Sequence, residues 1–257
     1  MERIENGNLE LNGMLAIFRK EFQSFFSSLS GILIGCGFLL LSGLFLWVFK
    51  GPFNVFDYGF ADLSQFFYLA PWVFLFLIPA LSMKSLSEER KLGTMELLLI
   101  KPFGTLGLLT GKFLAVFAIA LMTLIPTVVY IWSLSELGST EANYDAGVLL
   151  GSYLGLCLLC LLYAAIGVFA SALSENQIVS FLLAVFLCFS VYFGFEAVAS
   201  IATDGAWQRA IGLLGAKAHF ERIGRGVLDV KDVVYFISMT LFFLYSTHLK
   251  LNNLWQR

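Results

Sequence analysis

The chain has 257 residues, 59% of them hydrophobic and only 13% charged, with a formal net charge of −2. Soluble domains average about 45–50% apolar and about 25% charged residues, so this composition excludes an ordinary soluble domain and points to an integral membrane protein. With no basic surface to exploit counterion release, it also argues against nucleic acid as a partner.

In chain order, residues 1–13 (MERIENGNLELNG) are polar and acidic and lack the basic start and short apolar core of a secretory signal. Residues 14–28 place Leu15, Phe18, Phe22, Phe25 and Phe26 at helical spacing, with Arg19, Lys20, Glu21 and Gln23 elsewhere around the turn. That pattern predicts an amphipathic helix lying in the membrane interface. A first membrane span is expected over about Leu29 to Phe49, where Gly31 and Gly35 form a small-xxx-small pair for helix packing.

The second span is expected over about Ser64 to Leu86, with Pro71 and Pro79 as kink candidates. A charged stretch, Ser87 to Pro102, separates it from a third span over about Leu106 to Leu134 that contains Pro126. An acidic loop with Glu136, Glu141 and Asp145 follows. The fourth span, about Ala146 to Leu173, carries Gly147, Gly151 and Gly155 at four-residue intervals, a stripe suited to close helix approach. After the polar turn at 174–177, the fifth span continues to about Ala202.

Residues 204–231 mix an apolar face with Arg209, Lys217, His219, Glu221, Arg222 and Arg225, which predicts an interfacial or re-entrant element broken by Gly224 and Gly226. Asp229 is a candidate N-cap, and a sixth span runs from about Val233 to Leu249. The expected fold is therefore all-α and polytopic, with about six transmembrane helices, an N-terminal interfacial helix and a short cytosolic helix.

Short-loop Lys and Arg content sets orientation. Arg19, Lys20, Arg90, Lys91, Lys101, Lys250 and Arg257 fall on one side, against Lys50 alone in the loops after spans one and three. Both termini are thereby assigned to the cytosol. Five basic residues between Arg209 and Lys231 dissent from the opposite side.

The stretch SEERKLGTMELLLIKP is the main polar feature between spans. Ser85 and Glu88 fit an S-x-x-E capping box, and Gly93-Thr94 restarts a helix. Glu96 suits the first turn of that helix and Pro102 stops it, leaving Met95, Leu98 and Leu99 as an apolar edge. Such a helix can dock a soluble partner, although composition alone favours an ordinary charged intracellular loop.

Other motifs carry less. Gly107 to Phe113 imitates a phosphate loop, one residue short and with Phe113 in place of the magnesium-binding hydroxyl. Glu196 is the one acidic residue well inside an apolar run, a candidate gate or substrate contact. His219 and His248 read as solvated interfacial groups at opposite ends, and Cys36, Cys157, Cys160 and Cys188 as apolar packing residues. No metal or cofactor site is expected on this chain.

From about residue 14 onward, the chain resembles permease subunits of ABC-2 type transporters. The resemblance rests on the order of the amphipathic helix, six spans, EERKLGTMELLLIKP between spans two and three, and HFERIGRGVLDVKDVVYF before the last span. LLLSGLFLWVF, FFYLAPWVFLFLIPA, GSYLGL and SENQIVSFLLAVFLCF resemble the gliding-motility permeases of Bacteroidota more closely. Residues 1–13 stand outside the pattern, as an extension or a sequence before a later start at Met14, leaving 14–257 as the permease domain.

The resemblance implies that Glu88, Glu89, Arg90, Gly93, Thr94 and Glu96 belong to a coupling region meeting a separate cytosolic ATPase subunit, which would carry the ATP and Mg. It further implies a second permease copy or a related gliding-motility membrane subunit as partner, with export across the bacterial inner membrane. A mechanochemical subunit that transmits ATP-driven motion without moving a solute is the alternative.

Overall fold

The structure is a computed structural model that describes residues 2–58, 62–95, 98, 104–137, 145–201 and 204–255. Among these residues all regular structure is helical. Glu141, Glu96, Lys101, Pro102, Ala202 and Arg257, used in the sequence reading, lie outside the described residues.

Helix α1 (Glu2–Ser27) runs unbroken through Met14. Ser28 then caps α2 (Leu29–Gly43), its hydroxyl accepting the Gly31 amide at 3.1 Å, and a π-helical turn, Leu44–Val48, ends the first span. The short α3 (Val55–Tyr58) precedes α4 (Ser64–Ser82), which continues through both Pro71 and Pro79. Next come α5 (Ser87–Lys91) and α6 (Gly104–Leu124). At Pro126 a 3₁₀ turn, Ile125–Thr127, joins α6 to α7 (Val128–Leu137), as expected where proline removes a backbone donor.

Helix α8 (Ala146–Leu173) starts at Asp145, whose carboxylate accepts the Gly147 and Val148 amides. Helix α9 (Gln177–Phe189) is capped by Asn176 and continues through a π segment, Ser190–Gly194, into α10 (Phe195–Ile201). Two short amphipathic helices, α11 (Gly205–Gly212) and α12 (Ala216–Gly224), lead to α13 (Val230–Trp255). Asp229 accepts the Lys231 amide at 3.0 Å and so caps α13.

Six stretches among the described residues are long and apolar enough to cross a membrane: Gly31–Val48, Ser64–Lys91, Gly104–Glu136, Ala146–Leu173, Gln177–Ile201 and Val230–Asn253. The protein is an all-α polytopic membrane protein. Span four is its axis, packed against spans two, three, five and six and against α12. The alternation of spans gathers α5, the start of α6, the end of α8 and the end of α13 at one end of the bundle. The starts of α4, α8 and α13 lie with α11 and α12 at the other.

Helix α12 is inserted into the bundle rather than laid beside it. A Cβ on Gly151 would stand 2.6 Å from the Ile223 carbonyl oxygen, and one on Gly155 would stand 3.2 Å from the Phe220 ring. Of the predicted glycine stripe, these two provide the close approach. Gly147 instead meets the side chain of its own cap, Asp145, at 3.1 Å. The Gly31/Gly35 pair does not form one seam: a Cβ on Gly31 would collide with the Phe25 carbonyl across the α1–α2 junction, and Gly35 finds only the Thr123 methyl at 3.8 Å.

His219 is not the solvated group its sequence context suggested. It is 7% exposed, with Nδ1 2.6 Å from Asp232 Oδ1, Nε2 2.8 Å from the Leu213 carbonyl oxygen and its ring stacked on Tyr235. Arg222 bonds the same Asp232 oxygen at 2.8 Å. Lys217 pairs with Glu196 at 2.7 Å, and Arg225 lies 4.0 Å from Glu221. Three of the five basic residues that dissent from the charge rule therefore have acidic partners, which lowers the net positive charge of that end.

Candidate functional site

The charged segment forms the short helix α5, held on two sides by buried polar contacts. Its first turn carries Glu88 and Glu89 and its last turn Arg90 and Lys91, the charge order a helix dipole favours. Gly93 adopts φ +67°, a left-handed conformation that costs a residue with a Cβ roughly 1–2 kcal/mol. In that geometry the Gly93 amide donates to the Arg90 carbonyl at 3.2 Å and the Thr94 amide to the Glu89 carbonyl at 3.0 Å, a Schellman closure. Gly93→Ala is therefore expected to lower stability by about 1–2 kcal/mol and to increase proteolytic cutting at residues 91–94, read by heat denaturation and limited proteolysis.

The Leu98 amide donates to the Thr94 carbonyl at 3.3 Å. The rest of the expected coupling helix, including Glu96, lies outside the described residues.

The predicted Ser85/Glu88 capping box does not form. Leu86 occupies the N-cap position, and the Ser85 hydroxyl is buried without a hydrogen-bond partner among the described residues. The cap comes instead from span four: Ser171 Oγ accepts the Leu86 amide at 2.9 Å and the Ser87 amide at 3.0 Å, and donates to the Met83 carbonyl at 3.1 Å. A hydroxyl 85 residues away from Leu86 thus holds the first amides of α5.

Arg90 strengthens the same junction. Its Nη1 donates to the Ala172 carbonyl at 2.7 Å, and its Nη2 pairs with Glu175 at 3.1 Å, so the end of α8 and the turn after it are tied to α5.

On the other side lies Lys112, 1% exposed and eight residues into α6, roughly 12 Å along the helix axis. Its Nζ donates to Glu21 of α1 at 2.7 Å, to the Ser85 carbonyl at 2.6 Å and to Glu89 of α5 at 2.9 Å. The elements are close enough for this because Gly111 has no side chain: a Cβ there would lie 2.8 Å from the Met14 carbonyl oxygen. The residue dismissed with a broken phosphate loop is thus the hub of a buried charge cluster.

Glu88 is exposed, as are Lys91 and Leu92, the last at 67%. Glu89 and Arg90 therefore face inward and hold the helix, while Glu88, Lys91 and Leu92 are free to meet another surface. Glu196 lies at the opposite end, paired with Lys217, and is not brought near this site.

A family profile described as ABC-2 family transporter protein matches residues 64–213, more than half of the chain. The chain belongs to the ABC-2 transporter family. The matched stretch includes α5, Lys112, Ser171 and Glu175, whereas Glu21 precedes it and the His219–Asp232 cluster follows it. As an ABC-2 permease the protein is a membrane subunit of an ABC transporter, a subunit type not itself catalytic as a rule, and the family implies pairing with an ABC ATPase. No curated protein matches the sequence.

Sequence reasoning missed Glu21, Lys112, Ser171 and Glu175 as members of this site. The signal for Lys112 was present: an ionisable residue within an apolar run needs partners and is a functional candidate by default. Ser171 and Glu175 gave no comparable local signal.

Proposed function

We propose that α5 and the segment following it are the surface through which a separate cytosolic ATPase drives this permease, with ATP and Mg held on that partner. The observation carrying this reading is the set of three hydrogen bonds that Lys112 Nζ donates to α1, to α5 and to the turn between α4 and α5. Together with the Arg90 and Ser171 contacts to span four, it makes a push on α5 a push on α1 and on spans two, three and four at once.

In this reading Glu88, Lys91 and Leu92 contact the partner, while Glu89, Arg90, Gly93 and Thr94 fix the shape of the segment. Glu96 continues the contact. Both termini and α5 face the cytosol, the bilayer is the bacterial inner membrane, and a second permease copy completes the pathway for export. The Glu196–Lys217 pair, joining span five to α12, is the candidate gate contact at the far end. The four stretches that resemble gliding-motility permeases support a GldF-type assignment, with a second gliding-motility membrane protein as the other permease.

Glu88→Lys tests the docking reading without disturbing the buried cluster. Co-purified complex carrying it is expected to lose about tenfold in substrate-linked ATPase, the equivalent of about 1.4 kcal/mol, while remaining in the membrane with unchanged heat stability. Wild-type ATPase and wild-type association would rule the assignment out. Cargo uptake into vesicles by the same complex separates export from purely mechanical transmission.

A further inference from the structure

At the end of the bundle opposite α5, each ring nitrogen of His219 faces an acceptor oxygen. Nε2 lies 2.8 Å from the Leu213 carbonyl oxygen, in the turn between α11 and α12, and Nδ1 lies 2.6 Å from Asp232 Oδ1 at the start of span six. A neutral imidazole carries one N–H and one lone pair, so it satisfies one of these contacts and sets its lone pair against the oxygen of the other. An imidazolium donates to both. Arg222 Nη2 also lies 3.0 Å from Nδ1, but it bonds Asp232 Oδ1 at 2.8 Å, which marks that oxygen as an acceptor. An Nδ1 lone pair turned toward Arg222 would still stand 2.6 Å from the carboxylate oxygen, a separation that suits a charge-assisted hydrogen bond and not two acceptors.

The surroundings of the ring leave it as the group that titrates. From span six it faces Asp232, which is fully buried, and Tyr235, which stacks on it and donates its hydroxyl to the Leu214 carbonyl. Span four meets α12 through Gly151, Ser152 and Gly155, none of them ionisable. From span five, Tyr192 packs on Phe220 and Glu196 pairs with Lys217. On α12 itself, Arg222 is 37% exposed, and Glu221 lies 3.8 Å from Lys217 and 4.0 Å from Arg225. Arg209 of α11 bonds the Gly205 carbonyl of its own helix. Among side chains of these types, only an imidazole ordinarily changes charge between about pH 6 and about pH 8.5.

We infer that His219 is a proton-operated latch: charged, it ties the α11–α12 turn to span six, and neutral, it releases one of the two. The sign follows from the form that makes both bonds. The latch is closed while the ring is charged, and its contribution is lost as pH rises and the proton leaves. Release keeps α12 seated on span four at Gly151 and Gly155, so the part that loosens is the turn and α11, none of whose residues is buried. The inference does not depend on the docking role of α5.

The test uses the full chain in lipid nanodiscs. Hydrogen exchange of the amides in residues 205–224 is followed at about pH 6 and about pH 8.5, with labelling times scaled to the intrinsic exchange rate at each pH. Protection is expected to fall about tenfold at the higher pH, the equilibrium equivalent of one charge-assisted hydrogen bond, while span four stays unchanged. His219→Gln cannot gain a proton, so its protection should be low and the same at both pH values.

Nitrogen NMR of isotope-labelled histidine reads the charge of the ring directly. The chain has two histidines, and His248→Gln assigns their signals. Both ring nitrogens of His219 should be protonated at about pH 6, and the ring should become neutral over the range in which protection falls. A His219 ring neutral at about pH 6, wild-type protection equal at both pH values, or a His219→Gln chain that keeps the pH dependence would overturn the inference. If His219→Gln does not fold, the ring signals and wild-type exchange decide. No ATPase measurement enters, so failure here is distinguishable from failure of the docking assignment.

Discussion

Lys112→Met is expected to destabilise the permease by about 3–5 kcal/mol and to abolish ATP-driven function. Removing the ammonium leaves Glu21 and Glu89 facing each other with no cation between them, one carboxylate 27% and the other 12% exposed. It also strips the Ser85 carbonyl of its donor. The penalty of stranding a buried charge exceeds the net value of the pair, so the cluster should respond very differently when removed as a whole. The triple variant Glu21→Gln, Lys112→Met, Glu89→Gln is expected to recover most of the lost heat stability in detergent. Its coupling should stay impaired, because α5 is no longer bonded to α1 and span three. A triple variant as unstable as the single one would show that packing, and not charge, governs this junction.

The second large effect is expected at the opposite end. Asp232 is fully buried and binds both His219 and Arg222, which fastens α12 to the start of span six. Asp232→Ala leaves Arg222 and the His219 ring without their acceptor, at an expected loss of about 3–5 kcal/mol. Asp232→Asn keeps an acceptor and the shape, so it should cost clearly less. Heat denaturation ranks the two, and cysteine labelling at Ala216 or Ile223, both buried now, reports whether α12 has left span four. If the Ala and Asn variants lose stability equally, the carboxylate charge that both lack, and not the acceptor that Asn keeps, holds this helix.

These two clusters also mark where sequence reasoning stopped. Local chemistry was legible: the six spans, the Asp229 cap and the turn at Gly93 each follow from neighbours within a few residues, whereas the helix broke at Pro126 and not at the kink candidates Pro71 and Pro79. The partners of Lys112 are 23, 27 and 91 residues away, and Ser171 reaches α5 across about 85. No local pattern encodes such distances. The S-x-x-E motif at Ser85 failed because α5 starts one residue later, at the N-cap Leu86: the Ser85 amide bonds the Ser82 carbonyl, and a distant hydroxyl holds the Leu86 and Ser87 amides. The glycine stripe was partly legible for the converse reason: spacing shows which residues share a face, but only the fold shows that Gly151 and Gly155 meet α12 while Gly147 meets its own cap. Gly111 and Gly167 make equally close approaches, to α1 and to Ser82, without any repeat to announce them.

Docking of an ATPase on α5 is tested most directly by a photo-crosslinking residue placed at Glu88 in native membranes, with the same residue at Arg225, exposed at the opposite end, as the control. The predicted result is capture of a nucleotide-binding polypeptide from Glu88 alone, at a yield that changes when ATP is added. Capture of no nucleotide-binding polypeptide from Glu88, or equal capture from Arg225, would contradict it.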